Sequence, residues 1–269
     1  MTIPKFQKLI LDSRKKNQRD MPWRETDNPY KILVSEVMLQ QTQVARVLPK
    51  YKEFLKEFPT LQSLAKTPDG KLLKVWRGLG YWKRALSLKK AAKEIIKSHE
   101  EKFPENPKDL QKLPGIGPYT AGAIACFAFQ NKDAFLDTNI RRVYLHFFFP
   151  KKKDVSDKEI LHIAEKAVWK KNPRQWHYAL FDYGATVLKD KKINKQSKHY
   201  AKQSRFEGSL RSFRTKVMRF LLDQPNQTAT ASKIQRLLKK AKSPYVPEKI
   251  LASLEKDGLI KKKRNFYSL

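Results

Sequence analysis

Cysteine is nearly missing from this 269-residue chain, in which Cys126 is the only one. A single thiol excludes an internal disulfide, a zinc site built from cysteines and an iron–sulfur cluster held by four thiolates. Any bound metal ion would need oxygen or nitrogen ligands. No residue is assigned as a metal ligand.

Long apolar runs are absent as well. No stretch approaches the roughly 18 apolar residues that suggest a membrane-spanning helix. The first segment, MTIPKFQKLILDSRKKNQRD, has an apolar patch too short and too interrupted by charge for a signal peptide. Because 40% of the residues are hydrophobic, the chain can bury a core. We expect a soluble, cytoplasmic protein that does not bind membranes.

Acidic residues are scarce: 26 Asp and Glu stand against 58 Lys and Arg, a formal net charge of +32. Residues 189–269 alone hold 22 basic and 6 acidic side chains, a difference of +16, so residues 1–188 carry the other +16. Such a field concentrates polyanions near the surface. Two basic regions favour a long footprint on nucleic acid, although a solubility device or a lysine-rich composition would also explain the charge.

Strand patterns are rare in residues 1–188, whereas helical spacing recurs, and this region is predicted to be all-α. Asn28 and Pro29 are a good capping pair for one helix. Further helices are expected at 44–55, 61–65, 72–76, 84–96, 107–113, 121–128, 139–147, 156–169 and 173–188.

The composition changes at residues 189–205, which have few apolar residues and no clear period and are interpreted as a basic connector. Three helices follow, at 212–223, 231–241 and 247–256. Two short strands are then expected, at Leu259–Ile260 and at Phe266–Tyr267. This order is typical of a winged helix-turn-helix module, with residues 247–256 as the candidate for a DNA groove. A protein-docking winged helix is the alternative.

Three segments point to chemistry. LPGIGPYTAG, residues 113–122, places two glycines in a tight turn before a helix, where the backbone can approach phosphate closely. AFLDTNIRRV puts Asp137 at the start of the next helix, where it could simply be an N-cap. SEVMLQQTQV, residues 35–44, sets Glu36 among apolar side chains and follows it with glutamines, an unusual place for an acid.

LPGIGPYTAGAIACFAF and LDTNIRRV together resemble the helix-hairpin-helix Gly/Pro-Asp superfamily of DNA glycosylases. MPWRETDNPYKILVSEVMLQQTQV and WRGLGYWKRA closely resemble its MutY-type adenine glycosylases, so that the resemblance covers about residues 20–188. It implies an all-α, two-lobed glycosylase fold, to which the small α+β winged-helix-like module is added. The implied domains are 1–27 with 134–205, carrying the catalytic aspartate; 28–133, a six-helix lobe with the glutamate and the hairpin; and 206–269, the winged module.

The resemblance also implies roles for single residues. An enzyme that acts on a base must first take it out of the stack. Glu36 would then protonate N7 of the flipped adenine, and its apolar neighbours would raise its pKa, as a general acid near neutral pH requires. Asp137 would stabilise the positive charge that develops on the deoxyribose. Tyr119 stands where strand-cleaving relatives have a Schiff-base lysine, and Tyr119 and Asn139 would shape the pocket.

Other matched positions concern DNA binding. Gln41 and Tyr81 correspond to residues that wedge into the stack and contact the opposite base, with Gln40 and Thr42 supporting their loop. Arg24 and Asp182 match positions near the adenine, although a structural ion pair is equally compatible with them. In the hairpin, Leu113, Gly115 and Gly117 would hold the DNA backbone.

Two features depart from the family. The segment LKDKKINKQSKHY occupies the place of the four cluster cysteines, so no iron–sulfur cluster is expected, and Lys189–Lys198 could replace its phosphate contacts. The only cofactor left open is a monovalent cation at the helix-hairpin-helix. The usual Nudix-like domain that reads 8-oxoguanine is also missing. A monomeric, monofunctional glycosylase is expected, acting on adenine opposite 8-oxoguanine or guanine in double-stranded DNA; a uracil or thymine mismatch glycosylase and a non-catalytic DNA-binding protein are the alternatives.

Overall fold

The structure, a computed structural model, describes residues 1–269. Its elements in chain order are α1 (Ile3–Asn17), α2 (Pro29–Leu39), α3 (Val44–Glu57), α4 (Leu61–Lys66), α5 (Asp69–Trp76), α6 (Lys83–Ser98), α7 (Pro107–Leu110), α8 (Pro118–Phe129), α9 (Thr138–Phe148), α10 (Asp157–Ala167), α11 (Pro173–Asp182), α12 (Leu210–Leu222), β1 (Thr228–Thr230), α13 (Ala231–Lys240), α14 (Pro247–Lys256), β2 (Lys261–Lys263) and β3 (Phe266–Ser268). Short 3-10 turns cover Pro22–Arg24, Lys191–Gln196 and Pro225–Gln227, and a π-helical turn covers Tyr183–Val187. The predicted all-α character of residues 1–188 is confirmed.

Helix boundaries follow local sequence signals. Helix α2 begins at Pro29, as predicted, and α10 is preceded by a capping box in which Ser156 and Glu159 satisfy each other's backbone amides. Two predictions were incomplete. Helix α1 was not predicted at all, and the helix expected over 173–188 leaves α geometry at Asp182 and continues as the π-helical turn.

The chain packs as two compact units. The first comprises residues 1–36 and 102–202, and the second comprises residues 37–101 and 203–269. The hairpin region belongs to the first unit because α8 packs against α7 and α11. This division differs from the predicted one, which grouped residues 102–133 with the glutamate lobe and made 206–269 a domain of its own. The predicted three-part division of the chain stays a prediction.

The core of the first unit is built around an aromatic cluster on α1, α9 and α11. Phe6 is fully buried, and its ring lies 5.4 Å from that of Tyr144 and 5.7 Å from that of Trp176. The tilted and edge-to-face geometries are those that aromatic rings prefer. This packing fixes α9 and α11, which carry part of the candidate site.

The second unit has its own core. Phe54 of α3 packs against Phe58 at 4.9 Å and against Trp76 of α5 at 5.9 Å between ring centroids. The C-terminal module joins this unit, since α12 packs against α5, α13 and α14. Its exposed carboxylate Asp223 accepts two hydrogen bonds from Arg77, at 2.6 and 3.1 Å.

The C-terminal module contains the three predicted helices and a small antiparallel sheet with strand order β1-β3-β2. The first wing strand lies at Lys261–Lys263 rather than at Leu259–Ile260, because these two apolar residues are buried and lead into it. The strand β1, in which Ala229 pairs with Tyr267, was not predicted. Three-residue strands carry too little pattern to be read from sequence.

The segment interpreted as a basic connector is partly ordered. Residues 191–196 form a 3-10 turn that packs on α9. Val155 donates its N–H to the Gln196 carbonyl at 2.9 Å and accepts from the Lys198 amide at 3.0 Å. The buried Arg142 donates to the Gly184 carbonyl at 2.6 Å and to the Asn194 side chain at 3.2 Å. Hydrogen bonds within the protein therefore hold this segment in place.

None of the helices combines the length and apolar character that crossing a lipid bilayer requires.

Candidate active site

Glu36 lies on a helix that is buried on every side. Each residue from Ile32 to Met38 of α2 is buried, and Glu36 is only 3% exposed. The helix is fixed at its start by Asn28, whose Oδ1 accepts the Lys31 amide at 3.1 Å. A helix apolar on all faces belongs to a protein interior. The sequence thus carries a carboxyl group into a water-poor environment.

The environment of Glu36 shifts its protonation. Burial raises the pKa of Glu36 from an ordinary 4.5 to about 7. The Tyr119 hydroxyl donates a hydrogen bond to Glu36 Oε2 at 2.7 Å and lowers this pKa, the charge of Asp137 raises it, and that of Arg24 lowers it. Near neutral pH the carboxyl is therefore present in both its acid and its base form.

Asp137 is the N-cap of α9. Its Oδ1 accepts the Ile140 amide at 2.6 Å, and its Oδ2 accepts from the Asn139 side-chain amide at 2.9 Å. Burial raises the pKa of Asp137, and these donors together with the charge of Arg141 oppose that rise. The N-cap interpretation of Asp137 is therefore confirmed, and its charge also acts on Glu36, while its catalytic role stays a prediction.

Tyr119 lies in the first turn of α8 and contacts Glu36 through its hydroxyl. Its ring packs edge-on against Phe135 at 5.9 Å and Phe181 at 6.4 Å. Burial raises the pKa of the Tyr119 phenol well above its usual value, and the charges of Glu36 and Asp137 raise it further. The hydroxyl therefore stays protonated and acts as a hydrogen-bond donor.

Asn139 is positioned by a close backbone contact with the π-helical turn. A Cβ atom added to Gly184 would lie 2.6 Å from the Asn139 carbonyl oxygen, closer than real Cβ contacts. Only glycine fits at this position without displacement. The π-helical turn thus brings Gly184 against the residue that donates to Asp137.

Arg24 and Asp182 form a buried ion pair. The Arg24 guanidinium donates to the two carboxylate oxygens of Asp182 at 2.8 and 2.9 Å, and Arg19 adds a bond at 2.6 Å. Asp182 is fully buried, and Arg24 lies 4.5 Å from the centre of the Tyr178 ring. The ion-pair interpretation is confirmed. Asp182 orients Arg24, whose charge in turn acts on Glu36, while a direct contact of either residue with a base stays a prediction.

The hairpin residues take two different orientations. Leu113 is buried and its carbonyl accepts the Ile116 amide at 3.2 Å, whereas Gly115 and Gly117 are exposed. Gly115 has a φ of 81°, which favours glycine. Gly117 is the N-cap of α8. The two glycines therefore lie at the surface, whereas the Leu113 side chain anchors the turn in the core.

Four predicted site residues belong to the second unit. Gln41 and Tyr81 have positive φ values of 53° and 45°, which cost about 1 kcal/mol or more for residues other than glycine. Gln41 is exposed; Gln40, Thr42 and Tyr81 are partly exposed. The Thr42 hydroxyl donates to the Gln40 carbonyl at 3.3 Å, and the roles of these four residues in DNA binding stay predictions.

Arg84 joins the two strained loops, and sequence reasoning did not select it. Its guanidinium donates to the carbonyls of Val37, Met38, Gln40, Leu79 and Gly80 and to Oγ1 of Thr42. It thereby satisfies the free carbonyls at the end of α2 and holds the glycine turn before Tyr81. Burial lowers the pKa of Arg84 to about 10, which still leaves it charged. Its place in WRGLGYWKRA, three residues after Tyr81, was the only signal available.

The cysteine content does not fit a four-cysteine cluster. Cys126 is buried, its Sγ lies 3.6 Å from His177 Nδ1, and residues 189–200 contain no cysteine. The structure has no group of three or more His, Cys, Asp or Glu side chains arranged to hold a metal ion.

Comparison with known proteins identifies the family. The model of the HhH-GPD superfamily base excision DNA repair proteins matches residues 34–170, just over half of the chain. This chain belongs to that superfamily, as the sequence motifs predicted, and its fold is the helix-hairpin-helix glycosylase fold.

Individual proteins similar to this chain are DNA glycosylases. The chain is 38% identical over 178 residues to the adenine DNA glycosylase of Buchnera aphidicola subsp. Baizongia pistaciae, covering 63% of this chain and 49% of that protein. It is 42% identical over 135 residues to the adenine DNA glycosylase of Mycobacterium tuberculosis, covering 50% of this chain and 44% of that protein. The chain thus spans about half the length of these relatives. Among solved structures, a thermostable thymine-DNA glycosylase has a TM-score of 0.65 and 30% identity, covering 71% of this chain and 89% of that one.

Proposed function

We propose that this protein is a monofunctional DNA glycosylase of base excision repair that removes adenine paired with 8-oxoguanine or guanine. The observation that carries the proposal is the carboxyl of Glu36, buried, hydrogen-bonded to Tyr119 and titrating at a pKa of about 7. A general acid works best when its pKa is near the working pH. The likeness to proteins named adenine DNA glycosylase supports the choice of base.

In this mechanism Glu36 supplies the proton. A flipped adenine accepts it at N7, the bond between N9 and C1′ breaks with its electron pair moving to the base, and neutral adenine leaves. The sugar is left with positive charge at C1′. A water molecule then adds there and gives its proton to the Glu36 carboxylate, which returns to its acid form. At a pKa of about 7, roughly half of the Glu36 carboxyls carry the proton at pH 7.

Asp137 stabilises the sugar cation. Its hydrogen bonds from Ile140 and Asn139 favour the ionised form, and its negative charge in turn favours the protonated form of Glu36. Two neighbouring carboxyls in different environments thus divide the roles of acid and charged stabiliser. Removal of a preorganised stabilising group of this kind costs about 100- to 1000-fold in rate.

Strand cleavage is not expected. A Schiff-base lyase needs an uncharged amine next to the sugar, and Tyr119 stands at the position where bifunctional relatives of this family have lysine. The reaction would therefore end at an abasic site.

Double-stranded DNA is the proposed partner. Gly115 and Gly117 would contact a phosphate through their backbone, and Gln41 and Tyr81 would fill the gap left by the flipped base. The lysines of β2, all exposed, and the exposed basic residues Lys233, Arg236, Lys239 and Lys240 of α13 add positive charge outside the hairpin. The groove-facing role of residues 247–256 stays a prediction; the exposed side of α14 carries Lys249 and Lys256 as well as Glu248. We propose a monomer that works in the cytoplasm on the chromosome.

The second candidate is a mismatch glycosylase for thymine or uracil opposite guanine. It is favoured by the structural likeness to a thymine-DNA glycosylase. Pyrimidines have no N7 to protonate, so this reading leaves the raised pKa of Glu36 unexplained. A purely DNA-binding protein would need neither of the two acids.

One experiment separates the three candidates. The protein is incubated with duplexes that hold A, T, U or hypoxanthine opposite G or 8-oxoguanine, and abasic sites are then cleaved with alkali. We expect cleavage at adenine only, and none without alkali. Cleavage at thymine or uracil alone would establish the second candidate, and binding without any cleavage the third. Glu36→Gln serves as the catalytically inactive control that keeps the shape of the side chain.

A further inference from the structure

The C-terminal region reaches the proposed wedge residues, although it is far from them in sequence. Arg211 of α12 donates from Nη1 to the Tyr81 hydroxyl at 2.8 Å. Gln203 donates from its side-chain amide to the same hydroxyl and to Gln41 Oε1, the latter at 3.3 Å. All four residues belong to the second compact unit.

These contacts fix both ends of the Tyr81 side chain. The phenol oxygen accepts two hydrogen bonds, and the guanidinium groups of Arg84 and Arg211 lie 5.4 and 5.7 Å from the ring centre. Its backbone is held in the left-handed region at φ 45°. A partly exposed aromatic side chain normally samples several rotamers, and these contacts select one before DNA binds.

Arg211 forms hydrogen bonds with Tyr81 and Ser204 and takes part in no ion pair. No carboxylate lies within salt-bridge distance of it, although the nearby Arg214 pairs with Asp257. Its second amino group donates to the Ser204 carbonyl at 3.0 Å, which ties the start of the C-terminal module to the same guanidinium. The charged donor therefore serves Tyr81 and the segment next to it.

We propose that Arg211 and Gln203 are positioning residues for the wedge, which hold Tyr81 ready to enter the base stack. The C-terminal module then promotes base flipping through Tyr81, in addition to any attraction that its lysines exert on phosphate. This inference rests on the proposed function, because the wedge role of Tyr81 belongs to it.

A double-mutant cycle in the full-length protein tests the contact. The variants are Arg211→Met, Tyr81→Phe and the two combined, with Gln203→Leu as a milder change in an exposed segment. Arg219→Met is the matched control, because Arg219 is exposed on the same helix and its loss removes the same charge. Thermal unfolding checks that each variant is folded.

Two readouts are measured for each variant. The first is the fluorescence of 2-aminopurine placed next to the mismatch, which increases when the stack is opened and does not require excision. The second is the single-turnover excision rate at saturating protein. We expect Arg211→Met and Tyr81→Phe each to lower both by about tenfold, the effect of losing one hydrogen bond from a charged donor. The double variant should be no worse than the more affected single variant.

Additive losses in the double variant, or equal behaviour of Arg211→Met and Arg219→Met, would overturn the proposal. Failure of the proposed function would give a different result. The wild-type protein would open the base stack without releasing adenine, and the double-mutant cycle measured by 2-aminopurine fluorescence would still test the contact between Arg211 and Tyr81. A wild-type protein that does neither would overturn both.

Discussion

Removal of the Tyr119 hydroxyl should move the pH profile of excision to higher pH, and should not only lower the activity. In the protein this hydroxyl donates to Glu36 at 2.7 Å and lowers the Glu36 pKa against the effect of burial. Tyr119→Phe removes the donor and retains the ring that packs on Phe135. The charged form of Glu36 then loses its main stabilising contact, so its pKa should rise above 7.

The magnitude follows from the strength of the bond. A hydrogen bond to a charged group contributes about 1.5–3 kcal/mol, which corresponds to roughly 1–2 pKa units. If the pKa rises to about 8, the protonated fraction at pH 8 increases from roughly one tenth to one half. Relative to its own maximum at low pH, the variant should therefore be about fivefold faster than wild type at pH 8.

The assay is the single-turnover excision rate between pH 5 and 9 at saturating protein. Wild type should lose activity above pH ~7 as Glu36 ionises, with the midpoint of the decline displaced upward in Tyr119→Phe. The maximal excision rate of Tyr119→Phe is expected to be lower because its pocket is altered, but this does not change the pH at which the rate falls to half. Identical midpoints would refute the reasoning, because the decline would then belong to a group that Tyr119 does not touch.

Four further outcomes are expected. Glu36→Gln should abolish excision. Because the folded-state pKa of Glu36 is raised to about 7, the unfolding free energy of the wild type should fall by about 3 kcal/mol as the pH rises from 4 to 8. The variant has no such loss, so urea unfolding should show that it gains about 3 kcal/mol relative to wild type over this range. Asp137→Asn should slow excision by about 100- to 1000-fold at unchanged duplex affinity. Neutralising three basic residues in 261–264 should reduce the slope of log K against log salt by up to about 2.7, and an unchanged slope would favour a protein-docking wing. Gly184→Ala should displace Asn139 and slow excision by about 10- to 100-fold with little change in duplex affinity, as measured by gel assays.

The elements that sequence predicted well are those with strong local signals. Proline at the start of α2, the capping box of α10 and the glycine turn before α8 each specify a boundary through a few adjacent residues. The acids were predicted from their motif segments, whereas the effect of the Asp137 charge on the pKa of Glu36 is visible only in three dimensions.

The features that sequence did not reveal depend on contacts between distant residues. The motif around Arg84 gives its position but not the two loops that its guanidinium contacts, and Arg211 looks like any other arginine on a basic helix. The order in residues 191–196 comes from Arg142 and Val155, which are remote in the chain. Local propensity carries no information about such partners.

The absence of a side chain at Gly184 also has a genetic consequence. A strain with alanine at this position keeps all of the proposed catalytic side chains. From those residues alone, its protein would be expected to be active. The crowding against Asn139 predicts otherwise: under the proposed function, such a strain should accumulate spontaneous mutations although the protein is present at ordinary abundance.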